Sequence, residues 1–498
     1  MNILMVASEA APFAKTGGLA DVVGSLPFEL KKQGGEVRVI MPKYSTISWE
    51  LREQISHKCY FYVDLGWRHI YCGIEQGEYN GVIYYFVDNE AYFKRDRLYG
   101  YEDDCERFAY FCKAVLEAIP RLDFVPDVIH CHDWQTGMVP VLLEAHYRYK
   151  EMYCGIVTAF TIHNLRYQGI YGIEEFKDWF GLEDYYFTQD KLEFYQGASF
   201  MKGGLVYSKV IITVSNTYAN EIKTSYYGED LNGLLNARGK DLHGIINGID
   251  YVEYNPKKDK VIYQTYSKSN LAGKAVNKAA LQKDLGLTVK EDLPMIGIIS
   301  RLVDQKGLDL IACVLEELLE EELQLVVLGV GDDKYENLFQ WAQRRYANKL
   351  SANIKFDNNL AHKIYAGSDF FLMPSLFEPC GLGQLISLRY GTLPIVRETG
   401  GLKDTVSSYN ELTGRGNGFT FTNYNAHDML HTIKRALTIY KRKTVRNKLI
   451  KAAMSCDYSW QNSAKQYMEL YCSMKPEMFG VEEMNAISQE KDVAVTLE

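Results

Sequence analysis

The stretch Ser375-Leu-Phe-Glu-Pro-Cys-Gly-Leu-Gly-Gln384 places a carboxylate, Glu378, three residues before Gly381 and five before Gly383. It leaves the apolar run 370–374 and enters 385–390, whose apolar positions suit a short helix closed by Gly391. A carboxylate in a strand-to-helix loop, next to glycines that let backbone N–H groups approach a ligand, suits a sugar joined to phosphate. Upstream, Arg301 and Lys306 follow the apolar run 295–299, and so short a loop lets both cations reach one diphosphate. A solvated basic pair is the plainer alternative, since isolated surface charges contribute little. Cys380 has no basic neighbour in sequence to activate it as a nucleophile.

Near the N-terminus, Lys15-Thr-Gly-Gly18 sits between a strand-like and a helical segment. Its amides and lysine can meet an anion, although its spacing matches neither a P-loop nor G-x-G-x-x-G. Asp21 lies in the first turn beyond it, as a substrate contact or a partner of the helix dipole. His130-Cys-His-Asp-Trp134 ends another strand candidate. His130 and His132 point to one side of a strand, as chelating ligands would, but no other dense segment offers further ligands, so a structural or sugar-contact role is favoured over metal. His163 and Asn164 close the run 159–162 in the same way. Gly329-Val-Gly-Asp-Asp333 resembles a cofactor loop, yet adjacent aspartates point apart and more often cap a helix, here one over 335–345. Phe356 ends a strand candidate, 353–356, where an aromatic ring reads as core; only the resemblance described below implies that it stacks on a base.

These candidates share a position: Lys15, Asp133 and His163 each come just after a short apolar run. Runs at 2–7, 37–41, 83–87, 128–131, 159–162, 210–214 and 244–246 alternate with helical or irregular segments. A second series at 295–299, 325–328, 353–356, 370–373 and 394–396 follows a lysine-rich stretch, 254–270, that reads as a linker. Alternation of this kind predicts parallel sheets wrapped by helices, with ligands at the carboxyl ends of the strands. The fold class expected is α/β, as two Rossmann-like halves facing each other across a deep cleft.

A chain of 498 residues with 47% hydrophobic and 24% charged residues is an ordinary multidomain globular protein. Its net charge of −9 argues against nucleic acid or an anionic membrane as partner, so phosphate must be met by a local cluster of cations. Ten scattered cysteines without zinc-like spacing read as reduced thiols in a cytoplasm, and neither a signal peptide nor a membrane span is evident. Tyr and Phe are abundant, 37 and 22, and most are expected to be packing rather than sugar platforms.

Glu378-Pro379-Cys380-Gly381-Leu382, Lys15-Thr-Gly-Gly-Leu-Ala-Asp21, His130–Trp134, Thr161-Ile-His-Asn164 and Ser300-Arg-Leu302 with Lys306-Gly307 closely resemble the bacterial glycogen and plant starch synthases. The likeness runs from Met1 to about Trp460. It implies the GT-B glycosyltransferase architecture: an N-terminal domain over 1–253, a linker at 254–270, a nucleotide-sugar domain over 271–459, and a helix from 460 that returns to the first domain ahead of a loose tail from Lys475. It implies a retaining enzyme that moves glucose from ADP-glucose to the non-reducing 4-hydroxyl of an α-1,4-glucan such as glycogen. Catalytic roles fall to His163, Arg301, Lys306 and Glu378. Substrate contacts fall to Lys15, Gly17, Gly18, Asp21, Asp133, Asn164, Asn247, Phe356, Cys380, Gly381, Leu382 and Gly383. No cofactor and no divalent metal are expected, because arginine, lysine and helix dipoles take the metal's place.

Two departures stand out. Relatives often carry Thr or Ser where Gly383 stands and Arg where Leu376 stands. No second carboxylate stands beside Glu378 at a spacing that suggests a glycosidase pair, and Ile386, eight residues on, stands where relatives in another glycosyltransferase family carry a second Glu. Front-side displacement, with the leaving phosphate helping to take the acceptor proton, fits better than a covalent intermediate, and domain closure is expected in each turnover. UDP-glucose is the alternative donor. A phosphorylase needing pyridoxal phosphate, a nicotinamide dehydrogenase and a non-catalytic glucan-binding protein are the other classes compared; the dehydrogenase lacks its glycine fingerprint.

Overall fold

A computed structural model describes residues 1–478. The described residues form two compact units, 1–214 with 219–245 and 460–478, and 215–218 with 246–459.

The first unit is built on β1 (Asn2–Val6), β2 (Glu36–Pro42), β3 (Ser56–Leu65), β4 (Arg68–Tyr79), β5 (Val82–Asp88), β6 (Val128–His132), β7 (Val157–Ile162), β11 (Val210–Thr213) and β12 (Leu242–Gly244). The short β8 (Ile170–Gly172), β9 (Glu193–Phe194) and β10 (Gly197–Ser199) make a separate antiparallel sheet. The large sheet has the order β12-β11-β7-β6-β1-β2-β5-β4-β3. It is parallel from β12 to β5 and antiparallel through β4 and β3. Ile3, Leu4, Met5 and Val6 are all wholly buried, as a central parallel strand covered on both faces requires. The glycine loop delivers the chain into helix Gly18–Lys32, which buries Leu19, Val22, Val23, Leu26 and Leu30 on one face. Asp21 in its first turn and Lys31 and Lys32 in its last complement the dipole. Helix Trp460–Met474 packs against it within the same unit.

The second unit carries β13 (Met295–Ile299), β14 (Gln324–Leu328), β15 (Leu350–Asn353), β16 (Phe370–Met373), β17 (Leu393–Arg397) and β18 (Phe419–Phe421), all parallel, in the order β15-β14-β13-β16-β17-β18. Its core gathers Ile296, Ile298, Leu325, Val327, Phe370, Phe371 and Ile395 with the helix residues Ile311, Leu315 and Leu318.

Several expectations are corrected. The stretch 254–270 is no free linker: Ile262 and Tyr266 are buried in the second core, and Asp259 is buried against His362 and Tyr390. Polar composition hid it, because its lysines face outward while a few apolar and hydrogen-bonding residues anchor it. Residues 246–253 also pack with the second unit. The third expected strand of that unit lies earlier, at Leu350–Asn353, so Phe356 sits in the loop beyond it. The β3–β4 hairpin and β18 escaped the sequence reading. From Lys475 the chain is anchored at least to Met478: Lys475 donates to Gly155 O at 3.0 Å and pairs with Asp127. The rest of the expected tail lies outside the described residues. Among the described residues no helix is long and apolar enough to cross a membrane.

Candidate active site

In the first unit the candidates gather at the carboxyl ends of β1, β6 and β7. Asp133 leaves β6 with φ 56° and ψ 178°, a backbone state that side chains other than glycine's rarely occupy. Such strain costs about 1–3 kcal/mol and persists where neighbours enforce it. Here they do: Asp133 N–H donates to Thr161 O at 2.9 Å, and its Oδ1 accepts from His163 N–H at 2.8 Å and Asn164 N–H at 3.4 Å. The two strand tips are thereby locked together. Burial pushes the Asp133 carboxyl up to about 7, against the pull of the two amides, and the charge of Glu9 adds to the rise. Burial holds the His163 ring down at about 3, so it is neutral at neutral pH.

Glu9, which belongs to none of the motifs, is buried and receives Thr16 N–H at 2.5 Å and Thr16 Oγ1–H at 3.0 Å. Burial raises its carboxyl, Thr16 and Gly17 lower it, and Asp21 raises it further. The Lys15 ammonium is 2.6 Å from Asp21 Oδ1, so these two candidates pair with each other at the half-exposed mouth of the loop. Gly17 and Gly18 need no left-handed backbone, and a Cβ added to either meets nothing within 4 Å. Open space therefore lies beside both residues at the start of helix Gly18–Lys32.

His130 and His132 are wholly buried, and their rings lie 4.0 Å apart. Thr161 Oγ1 and Tyr471 OH take the two nitrogens of His130, at 2.6 and 2.7 Å, and His132 Nδ1 meets His163 Nε2 at 3.0 Å. These rings belong to a side-chain network, and no metal-binding cluster occurs among the described residues.

In the second unit the loops after β13 and β16 are laced together. Gly307 has φ 70°, and a Cβ there would lie 2.0 Å from Pro374 O, so only glycine lets the two backbones meet. Leu376 N–H donates to Gln305 O at 3.0 Å across the same seam. This brings Lys306 Nζ to 2.7 Å from Glu378 Oε2, the oxygen that also accepts Ser375 Oγ–H at 3.0 Å. Arg301, on the Lys306 loop, is exposed. Arg397, from the end of β17, donates to Ser375 O and Leu376 O at 3.2 and 2.6 Å. Nothing in the local stretch 393–399 marks that support, because the partners lie twenty-odd residues upstream.

Glu378 and Cys380 are buried, and their carbonyls crowd Gly400 and Gly401: Cβ atoms at those positions would fall 2.0 and 2.1 Å from Glu378 O and Cys380 O. Burial pushes the Cys380 thiol up to about 12, and its sulfur accepts the Asn247 N–H, so it remains a thiol. Asn247 is 5% exposed with its Oδ1 buried and without a hydrogen bond. Gly381 has φ 73°, and the Gln384 amide donates to Cys380 O and Gly381 O at 3.0 and 2.9 Å, fixing the turn. Leu382 caps helix Gly383–Arg389. At Gly383 a Cβ would approach Phe371 Cε1 to 2.8 Å, which gives packing grounds for glycine there. Phe356 is 88% exposed, which removes the core alternative.

The Gly329–Asp333 loop serves the fold. Gly331 pairs with Leu302, and a Cβ at either Gly329 or Gly331 would strike the Ser300–Leu302 backbone within 2.3 Å. The helix begins at Asp333, but neither aspartate caps it through its side chain; Gly331 N–H instead donates to Glu336 at 2.8 Å.

Two α/β units, each with candidate residues in loops at the carboxyl ends of parallel strands, make a two-domain α/β glycosyltransferase of the GT-B class. Residues 2–237 match the starch synthase catalytic domain, and residues 283–455 match glycosyl transferases group 1. Glycogen synthases of Desulforamulus reducens and Clostridium acetobutylicum are 55% and 57% identical over 95% of this chain, covering 98% and 100% of those proteins. The structure of the catalytic domain of starch synthase IV from Arabidopsis thaliana, bound to ADP and acarbose, superposes with a TM-score of 0.88 at 35% identity, covering 95% of this chain and 98% of that one. The chain belongs to the starch and glycogen synthase family of retaining glucosyltransferases.

Proposed function

We propose that this enzyme elongates an α-1,4-glucan, transferring glucose from ADP-glucose to the non-reducing 4-hydroxyl with retention of configuration. The observation that carries the reading is the Lys306–Glu378 contact at 2.7 Å, with Ser375 on the same oxygen and Arg301 exposed on the same loop. Lys306 and Arg301 offset the negative charge that grows on the diphosphate as the sugar leaves, a preorganised role whose loss costs about 3 kcal/mol. Glu378 is held by Lys306 and Ser375 so that its remaining oxygen receives a glucose hydroxyl. The orphaned Oδ1 of Asn247 suits a second sugar hydroxyl, and the exposed Phe356 ring suits stacking on the base. A starch synthase relative binds ADP, the group that ADP-glucose leaves behind, which supports the adenine donor over UDP-glucose.

In the first unit His163, Asn164 and Asp133 take the transferred sugar, while Lys15 and the amides of Gly17 and Gly18 donate to phosphate or acceptor oxygens and Asp21 receives a substrate hydroxyl. The neutral His163 ring and the high-lying thiol of Cys380 argue against either as a charged nucleophile. A front-side displacement, with the departing phosphate oxygen receiving the acceptor proton, needs neither, and Arg301 and Lys306 supply the charge that a divalent metal would otherwise bring. The test is glucose incorporation into glycogen from ADP-glucose and UDP-glucose in parallel, each with and without chelator. Incorporation from ADP-glucose that survives chelation is expected. Preference for UDP-glucose overturns the donor, loss on chelation overturns the metal-free chemistry, and nucleotide release without transfer overturns the acceptor.

A further inference from the structure

We infer that His132 is a positioning residue: it donates from Nδ1 to Nε2 of His163, so that His163 carries its hydrogen on Nδ1 and meets the substrate as a hydrogen-bond donor. The inference rests on reading His163 as a substrate contact. Neutral imidazole has one donor and one acceptor nitrogen, so the 3.0 Å contact between His132 Nδ1 and His163 Nε2 has two possible senses. The other nitrogen of His132 decides between them. His132 is wholly buried, and its Nε2 has no hydrogen-bond partner. If His163 donated, His132 would have to carry its hydrogen on Nε2, an N–H sealed from water with nothing to receive it. A buried N–H with nothing to receive it loses its hydration without return, and such orphaned donors are rarer than acceptors with an unused lone pair. With His132 donating, only a lone pair goes unused.

The surroundings hold His132 in that role. Its ring packs on His130, which Thr161 fixes from β7 and Tyr471 fixes from helix Trp460–Met474. Burial holds all three rings below their ordinary range, with the neighbouring rings lowering His130 and His132 further, so each is neutral and has a defined tautomer. His163 alone of the three is only half-buried. Its Nε2 is engaged by His132, leaving Nδ1 for the substrate. An Nδ1–H donates to a sugar hydroxyl or phosphate oxygen and cannot accept a proton there, so His163 orients substrate and does not act as the general base.

Two-bond proton–nitrogen correlations of full-length protein labelled with 15N-histidine read which ring nitrogen of His163 bears hydrogen, its signals being assigned by their loss in His163→Ala. Nδ1 protonation is expected in the wild type. His132→Leu, which removes the donor, should mix the tautomers and lower kcat tenfold or more, with KM for malto-oligosaccharide changed less than threefold. His132→Asn, whose amide nitrogen takes the place of Nδ1, should recover most of that loss. Nε2 protonation in the wild type, together with a crippled His163→Ala, overturns the assignment to His132 alone, and it does so even if the leucine variant fails to fold. Equal turnover in the leucine and asparagine variants also overturns it. Wild-type turnover in His163→Ala overturns the site reading itself.

Discussion

Replacing Lys306 separates two roles that its position combines. Its ammonium lies 2.7 Å from Glu378 Oε2, and the two side chains are 17% and 8% exposed. Removing one member of so enclosed a pair leaves a carboxylate with Ser375 as its remaining side-chain donor, and the loss of a buried partner costs about 3 kcal/mol in stability. If Lys306 also stabilises the leaving diphosphate, a further barrier increase of about 3 kcal/mol lowers kcat by roughly a hundredfold or more. Lys306→Met should therefore show both losses. Repeating the substitution in a Glu378→Gln background distinguishes them, because the carboxylate that needed neutralising is gone. There the stability cost should shrink to within about 1 kcal/mol, while the hundredfold drop in turnover caused by the lysine change remains. Urea unfolding gives the first quantity, and steady-state kinetics with saturating ADP-glucose and glycogen give the second. If Lys306→Met costs less than about threefold in turnover once Glu378 is glutamine, the lysine is only a counter-ion of Glu378, and its assignment to phosphate is refuted.

Phe356→Ala should raise KM for ADP-glucose about tenfold while barely moving kcat or stability, since an 88% exposed ring has little packing to lose and stacking on a base is worth about 1–3 kcal/mol; an unchanged KM removes the ring from the donor site. Gly383→Thr should destabilise the protein by about 1–3 kcal/mol through its 2.8 Å approach to Phe371, and pairing it with Phe371→Leu should recover most of that in a urea melt; no destabilisation would show that the strand gives way freely. The buried His362–Asp259 pair, 2.8 Å apart with Tyr390 OH on the same carboxylate oxygen, should make stability depend on pH. Burial alone would lower His362, but Glu253 and Asp259 outweigh it and raise the ring, so its contribution is full below the ordinary histidine range and fades as pH rises through the raised value. Burial alone would raise Asp259, but Tyr390 and His362 lower it, so its contribution is full above the ordinary carboxylate range and fades on acidification through the lowered value. His362→Gln should thus lose most stability relative to wild type near pH 5–6 and converge with it in alkali; a pH-independent difference in unfolding free energy rules out the ion pair.

What could be read in the sequence and what could not divide along one physical line. Buried parallel strands announce themselves as short apolar runs, so β1, β6, β7, β13 and β16 and the loops at their carboxyl ends were visible, and with them Asp133, His163, Arg301, Lys306 and Glu378. The β3–β4 hairpin buries one face only and alternates exposed Tyr60 and Tyr62 with buried Phe61 and Val63, a pattern weaker than a solid apolar run. The segment 254–270 misled for a related reason: composition averages over lysines in water and over Ile262, Tyr266 and Asp259 inside, and only the tertiary structure sorts them. Contacts between distant strand tips leave no local trace at all. Arg397 steadies the Glu378 loop from twenty-odd residues downstream, Glu9 raises the carboxyl of Asp133 across 124 positions, and Tyr471 reaches His130 from the last helix. Each of these residues is an unremarkable charged or aromatic position in the sequence, because what defines its role is the residue it meets. Candidate residues for the chemistry can therefore be named from motifs, whereas their protonation and orientation follow only from such long-range partners, and the direction of the His132–His163 hydrogen bond accordingly turns on a buried nitrogen with nothing to donate to.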